Sequence, residues 1–165
     1  MRRGYFAEGL SGAQFALPEA ARMLQEIGLP AQTQPPLVLL HSLDPANLYG
    51  SGAPLDVNLL SGGERAFQRR AGNWLVLRTG KPILLVENEG KRLTALPSAA
   101  QEDLARAVSL LPSILTGFQM RDIRHKLVVE SWNEQPVTST PGKELLEQAG
   151  FVRDYQAMTL YGAWR

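Results

Sequence analysis

The chain has 165 residues, 44% of them apolar and 20% charged, the composition of an ordinary soluble globular protein long enough for one domain with a real core. Seventeen basic and sixteen acidic residues leave a formal net charge of +1, which argues against an autonomous charge-driven nucleic-acid binder, so any polyanion contact has to come from local clusters. The absence of cysteine excludes disulfides, thiolate catalysis and Cys-based metal sites, and no apolar run reaches the roughly 18 residues of a bilayer span.

Arg2 and Arg3 are not followed by an apolar stretch, so no secretory signal is read and a cytoplasmic location is expected. Tyr5-Phe6-Ala7 and Gln14-Phe15-Ala16-Leu17 read as two strands around the loop Glu8-Gly9-Leu10-Ser11-Gly12. Basic residues, aromatics and glycines gather here as nowhere else in the chain. Pro18 suits a first helical turn, where its missing N–H costs nothing. Ala20, Met23, Leu24 and Ile27 recur at helical spacing, and Gly28 is a natural stop.

After the linker Gln32–Pro36, Leu37-Val38-Leu39-Leu40 reads as a strand buried on both faces. It runs into the turn-rich Asp44–Gly50, and residues 51–63 carry little periodicity. Asn73–Arg78, Ile83–Glu87 and Arg92–Leu96 form a three-strand meander joined by turns at Thr79-Gly80-Lys81-Pro82 and Asn88-Glu89-Gly90-Lys91. Ser98–Gln101 has capping-box form, and Ala100, Leu104, Val108, Leu111 and Leu115 make one apolar stripe that Pro112 should end or kink. Lys126–Trp132 reads as one strand. Thr140 is expected to cap a short helix that starts at Pro141 and closes at Gly150, and Phe151-Val152 and Met158–Tyr161 are the last strands. The expected fold is α+β: a β-rich, barrel-like body of mostly antiparallel strands with about three peripheral helices, in a single domain over 1–165. Phe15 and Leu17 are expected in its core.

No catalytic motif emerges. Gly80-Lys81-Pro82 and Gly142-Lys143-Glu144 lack the glycine spacing and the Ser/Thr of a phosphate loop. Ser61-Gly62-Gly63 has no strand–loop–helix context. His41 and His125 have no metal-like partner at i+3 or i+4, so His41 reads as a strand-end residue and His125 as solvated. No nucleophile elbow presents a serine. Glu87 and Glu89 read as solvated turn residues. Trp74 and Trp132 sit in apolar strands and read as core. What remains are basic clusters: Arg2 and Arg3, then Arg65, Arg69 and Arg70, then Arg121, Arg124 and Lys126. Each is either a solvated face or a set of phosphate contacts, with Tyr5 and Phe6 available to stack on bases. The candidate nucleic-acid contacts are Arg2, Arg3, Tyr5, Phe6, Arg65, Arg69 and Arg70.

The ribbon Arg3–Pro18 resembles a segment of large helicase-related (Lhr-type) DEAD/H-box helicases that lies just after the winged-helix part of the helicase core. Leu43-Asp44-Pro45-Ala46-Asn47-Leu48-Tyr49-Gly50, then Arg70-Ala71-Gly72 leading to Leu85-Val86-Glu87, then Glu147-Gln148-Ala149-Gly150-Phe151 agree in the same order. The resemblance implies a non-catalytic, β-barrel-containing accessory part of a translocating helicase, with residues 1–17 as an opening hairpin that ends a preceding winged helix. It implies single-stranded DNA or RNA as partner, with the RecA-like and winged-helix domains of the same helicase packing against it. ATP and magnesium would belong to the parent helicase, because this chain carries no cofactor motif of its own. Two alternatives stand beside it: a purely structural interdomain module, and a DNA glycosylase-like enzyme, for which Gln32-Thr33-Gln34 is a faint echo of a Gln-x-Gln motif.

Overall fold

The computed structural model describes residues 2–4, 12–27, 35–58, 64–116 and 126–162. The opening hairpin forms from β1 (Arg2–Gly4) and β2 (Gln14–Ala16), paired antiparallel with Arg3 opposite Phe15. Its first strand therefore lies before Tyr5; Tyr5, Phe6 and the predicted loop fall outside the described residues. Pro18 opens α1 (Pro18–Ile27) as expected, while Gly28 and Gln32-Thr33-Gln34 also lie outside them. Phe15 and Leu17 are 57% and 61% exposed, so the expected core role is corrected. Met23 and Leu24 are exposed as well. The hairpin, α1 and the residue between them thus leave these four large apolar side chains uncovered.

The body is an open sheet. Its strands are β3 (Leu37–His41), β6 (Trp74–Arg78), β7 (Lys81–Glu87) and β8 (Arg92–Ala95), with a separate hairpin of β4 (Asp56–Asn58) and β5 (Glu64–Ala66) between the first two in sequence. The meander β6–β7–β8 forms as the sequence predicts, with Thr79 and Gly80 both at positive φ, as a two-residue hairpin turn requires. β3 pairs with β6 and sits at the sheet edge. That corrects the reading of it as buried on both faces, and Val38 is half exposed.

Central strands are buried on both sides, and alternation assigns each residue to a face. Trp74, Val76, Leu84, Val86 and Leu93 join a large cluster with Leu104, Ala107 and Val108 of α2 (Gln101–Ser109). Leu75 and Leu85 point the other way and meet Val57 and Phe67. Each such fully buried aliphatic side chain contributes roughly 1.5–3 kcal/mol. A helix covers one face, and Tyr49, Leu55, Val57 and Phe67 cover the other. Layers rather than closure bury the sheet, and among the described residues no sheet closes into a barrel.

The remaining elements are α3 (Ser113–Thr116), β9 (Lys126–Val129), β10 (Ser131–Trp132), β11 (Gln135–Pro136), a 3-10 turn at Val137–Ser139, α4 (Gly142–Gln148), β12 (Val152–Asp154) and β13 (Ala157–Tyr161). α2 ends before Pro112 as expected. The predicted strand Lys126–Trp132 breaks at Glu130: β9 pairs antiparallel with β13, and β10 pairs parallel with β8 and antiparallel with β11. The six-stranded order is β11-β10-β8-β7-β6-β3 and the three-stranded order β12-β13-β9. Both capping predictions fail in detail. Ala100 and Pro141 occupy the N-cap positions of α2 and α4 without side-chain caps, Ser98 Oγ donates to Pro82 O at 3.4 Å, and Thr140 Oγ1 donates to Val137 O at 2.9 Å. Gly150 does close α4: at φ +91° it lets Phe151 N–H reach Leu146 O while its own N–H reaches Glu147 O, both at 3.0 Å. The fold is α+β and strand-rich, with three helices longer than one turn.

Candidate nucleic-acid interface

A cleft of about 540 Å³ opens where β5, the approach to β6 and the β7–β8 turn converge, lined by Arg65, Gln68, Arg70, Asn73, Glu87 and Arg92 among others. β5 projects Arg65 toward the end of β7, where Glu87 is only 3% exposed. The pair is bidentate: Arg65 Nη1 donates to Glu87 Oε1 at 2.7 Å, and Arg65 Nη2 donates to Glu87 Oε2. The Glu87 hydrogen bond raises the Arg65 guanidinium further above its ordinary range, against the opposing effect of burial. The expectation that Glu87 is a solvated turn residue is therefore corrected. It closes the base of the cleft.

Arg92 faces the same carboxylate from β8, directly opposite Glu87 in the strand register. Its Nε lies 3.9 Å from Glu87 Oε2, too far for a hydrogen bond, and is buried without a hydrogen-bond partner among the described residues. Two guanidinium groups thus share one carboxylate already forked by the first. Arg70 adds a third, exposed at the rim, where it donates to the side chain of Gln68. Asn73 fixes the wall: its Nδ2 donates to Gln68 O at 3.0 Å and its Oδ1 accepts from Asn88 N–H at 3.0 Å. Glu89 also lines the mouth. Three guanidinium groups face the carboxylates of Glu87 and Glu89 in this polar cleft, with the Glu134 charge also acting on Arg65; the donors of Arg70 and Arg92 suit an anionic group such as a phosphodiester.

Arg69, predicted alongside these two, turns elsewhere. Its guanidinium donates to Ser42 O at 2.9 Å, Asp44 O at 3.2 Å and Ser51 Oγ at 2.8 Å, bracing the 42–51 loop from inside. Asn47, fully buried, completes that brace by donating to Ser42 O and Tyr49 O. Arg3 lies exposed on β1 beside Gly4, Gly12 and Ala13 in a separate shallow hollow. Arg2 occupies β1, and Tyr5, Phe6, Arg121, Arg124 and His125 lie outside the described residues. The structure therefore brings Arg65 and Arg70 together and separates Arg69 from them.

Sequence reasoning missed Arg92 and Asn73. Arg92 was legible only as a strand start, because its relation to Arg65 depends on the Glu87 register across β7 and β8. His41 ends β3 as expected. Its ring meets Trp74 edge-on at 5.4 Å, and its Nδ1 accepts from Leu43 N–H at 3.2 Å. Burial lowers its pKa below the ordinary 6.5, partly offset by the nearby Asp44 carboxylate. Among the described residues no group of His, Asp and Glu could hold a metal ion, and no helix is long and apolar enough to cross a membrane.

Comparison with known proteins gives these features a family setting. The winged-helix domain of large helicase-related protein matches residues 1–35. Over 94% of its length the chain is 33% identical to a protein of Escherichia coli K12 named Lhr helicase/uracil glycosylase. Over 70% of its length it is 31% identical to one of Mycolicibacterium smegmatis named Lhr helicase/probable uracil glycosylase. It spans only 10% and 8% of those relatives. The chain is thus similar to a segment that makes up about a tenth of the length of these two Lhr-type helicases.

Proposed function

We propose that this chain is a non-catalytic part of an Lhr-type DNA or RNA helicase that helps to hold single-stranded nucleic acid, with the Arg65–Arg70–Arg92 cleft receiving the phosphate backbone. The convergence of Arg65, Arg70 and Arg92 on one polar cleft carries the reading. Arg70 and Arg92 make the contact, Arg65 holds Glu87 in place, and Arg69 braces the neighbouring loop. Arg2 and Arg3, with Tyr5 and Phe6, form a second contact strip on the opening hairpin. The uncovered Phe15, Leu17, Met23 and Leu24 support packing against the winged-helix and RecA-like domains of the same polypeptide. ATP and magnesium act in those domains, and the protein works in the cytoplasm.

Modest net charge fits this role, because a tethered clamp gains avidity from its neighbours. Fluorescence anisotropy of a labelled single strand titrated with the chain over a salt series tests it. With about two phosphates contacted, log K against log salt should slope near −1.4, since each phosphate contributes about −0.7 on single strands. Arg70→Ala and Arg92→Ala should each flatten the slope by about 0.7. Unchanged slopes in both variants would refute the cleft contact and favour a purely structural module.

The names of both relatives favour a second reading, base excision from uracil-containing DNA. Glu87 is the buried carboxylate of the cleft, and such chemistry would require Arg65 to release it. Uracil release by the chain, lost in Glu87→Gln, would support it; no release would dismiss it.

A further inference from the structure

Tyr155 is the most exposed large hydrophobic side chain among the described residues, at 91%, and it stands at the tip of the β12–β13 hairpin. Asp154 pairs with Ala157, so Tyr155 and Gln156 form a two-residue loop, and Tyr155 is the first of the two. Its φ is +53°. Two-residue hairpin loops require positive φ at that position, which favours Asn, Asp or Gly; Thr79 also occupies it in the β6–β7 turn, and Tyr155 is the bulkiest non-glycine residue at positive φ among the described residues. A phenol ring at this point adds no packing and costs backbone energy. Stability does not explain it.

The tip is nonetheless held in shape. Arg153 Nε donates to Tyr155 O at 3.1 Å, and no other partner engages the Arg153 guanidinium among the described residues. The neighbours of the ring in sequence are Arg153, Asp154 and Gln156. An interface anchor for a protein partner is surrounded by apolar contacts that exclude water; these flanking residues along the hairpin tip are polar. A lone, projecting, pre-positioned aromatic face is what an unstacked base requires.

We infer that Tyr155 is a base-stacking residue, projected by the strained hairpin tip to receive an unpaired nucleobase. The inference deepens the single-strand reading above and rests on it. Arg153 and Asp154 cancel in charge, so this contact works through the π face and contributes little to salt dependence. In that respect it differs from the arginine cleft. The flanking guanidinium orients the tip, and the ring takes any base, because every base presents a π face.

The test titrates the full chain with two labelled single strands of about 20 nucleotides, one of thymidine and one of abasic sites on the same backbone. Tyr155→Gly should bind the thymidine strand roughly 5- to 150-fold more weakly, the equivalent of one stacked base. It should bind the abasic strand as the wild type does and keep the wild-type salt slope. Its melting temperature should equal or exceed that of the wild type, since glycine relieves the strain. Tyr155→Phe should retain binding. Wild-type affinity of Tyr155→Gly for thymidine, or an equal loss on both strands, overturns the inference. If Arg70→Ala still weakens binding in that case, the cleft reading survives and the tip is a protein-docking feature instead. Absence of binding to either strand at low salt overturns both.

Discussion

Replacing Arg65 by alanine isolates the energetics of the cleft. Glu87 would keep its burial and lose both hydrogen bonds of its bidentate partner. Breaking one side of a buried ion pair costs about 3–5 kcal/mol. Two features reduce that here: the Arg65 side chain is 24% exposed, which admits water, and Arg92 remains 3.9 Å from the carboxylate. An expected loss of about 2–3 kcal/mol follows, which corresponds to a fall in melting temperature of roughly 5–10 °C for a chain of this size. Urea denaturation followed by tryptophan fluorescence reads it directly, because Trp74 and Trp132 are buried. Glu87→Gln should cost less, since the cation left behind is the more exposed partner. The double variant Arg65→Met/Glu87→Met removes both charges and should recover at least about 1.5 kcal/mol relative to the sum of Arg65→Met and Glu87→Met made singly. A loss below about 0.5 kcal/mol for Arg65→Ala, or strict additivity in the cycle, would refute the pair as the keystone of this cleft.

Three further outcomes are expected. Gly142 packs beneath Trp132, whose ring atoms would lie 2.4 Å from an added Cβ; Gly142→Ala should destabilise by about 1–3 kcal/mol and shift tryptophan emission. Arg69→Ala should cost roughly 1.5–3 kcal/mol and speed hydrogen exchange at Asn47 and Tyr49, which belong to the loop it braces. His41 has a pKa lowered in the fold, so the unfolded chain takes up the proton first as pH drops below 6.5. Melting temperature should therefore fall as pH drops below about 6.5, with a shallower slope in His41→Gln; an identical profile in both proteins would exclude His41 as the source.

Local pattern carried the fold well where elements are autonomous. The meander was legible because apolar runs and turn pairs such as Thr79-Gly80 are complete within a few residues. Pro18 and Gly150 likewise acted through their own backbones. The failures share one cause, that burial is a property of what lies across from a residue. Leu37–Leu40 reads like a central strand, yet its far edge meets no strand of the body. Phe15 and Leu17 read as core, and the surface that would cover them is not in the described fold. Ser98 and Thr140 have the chemistry of caps and spend it on carbonyls elsewhere. In the cleft, Arg65 and Arg70 were found as charges, while their division into brace and contact required the cross-strand position of Glu87. Tyr155 carried no sequence signal, because strain at one φ angle does not show in composition.

The break at Glu130 has a consequence for how the molecule comes apart. One continuous run supplies β9 to the three-stranded sheet and β10 to the six-stranded sheet, and both Glu130 N–H and Ser131 N–H converge on the single carbonyl of Lys91, at 2.8 and 3.0 Å. Neither sheet can lose its strand here without pulling on the other, since no slack separates the two pairings. The carbonyl of Lys91 is a shared hinge pin, and the two sheets form one cooperative unit rather than two foldons joined by a tether. A force or a partner applied to the Tyr155 hairpin would therefore travel through β13 and β9 to Lys91, next to Arg92 and the floor of the arginine cleft.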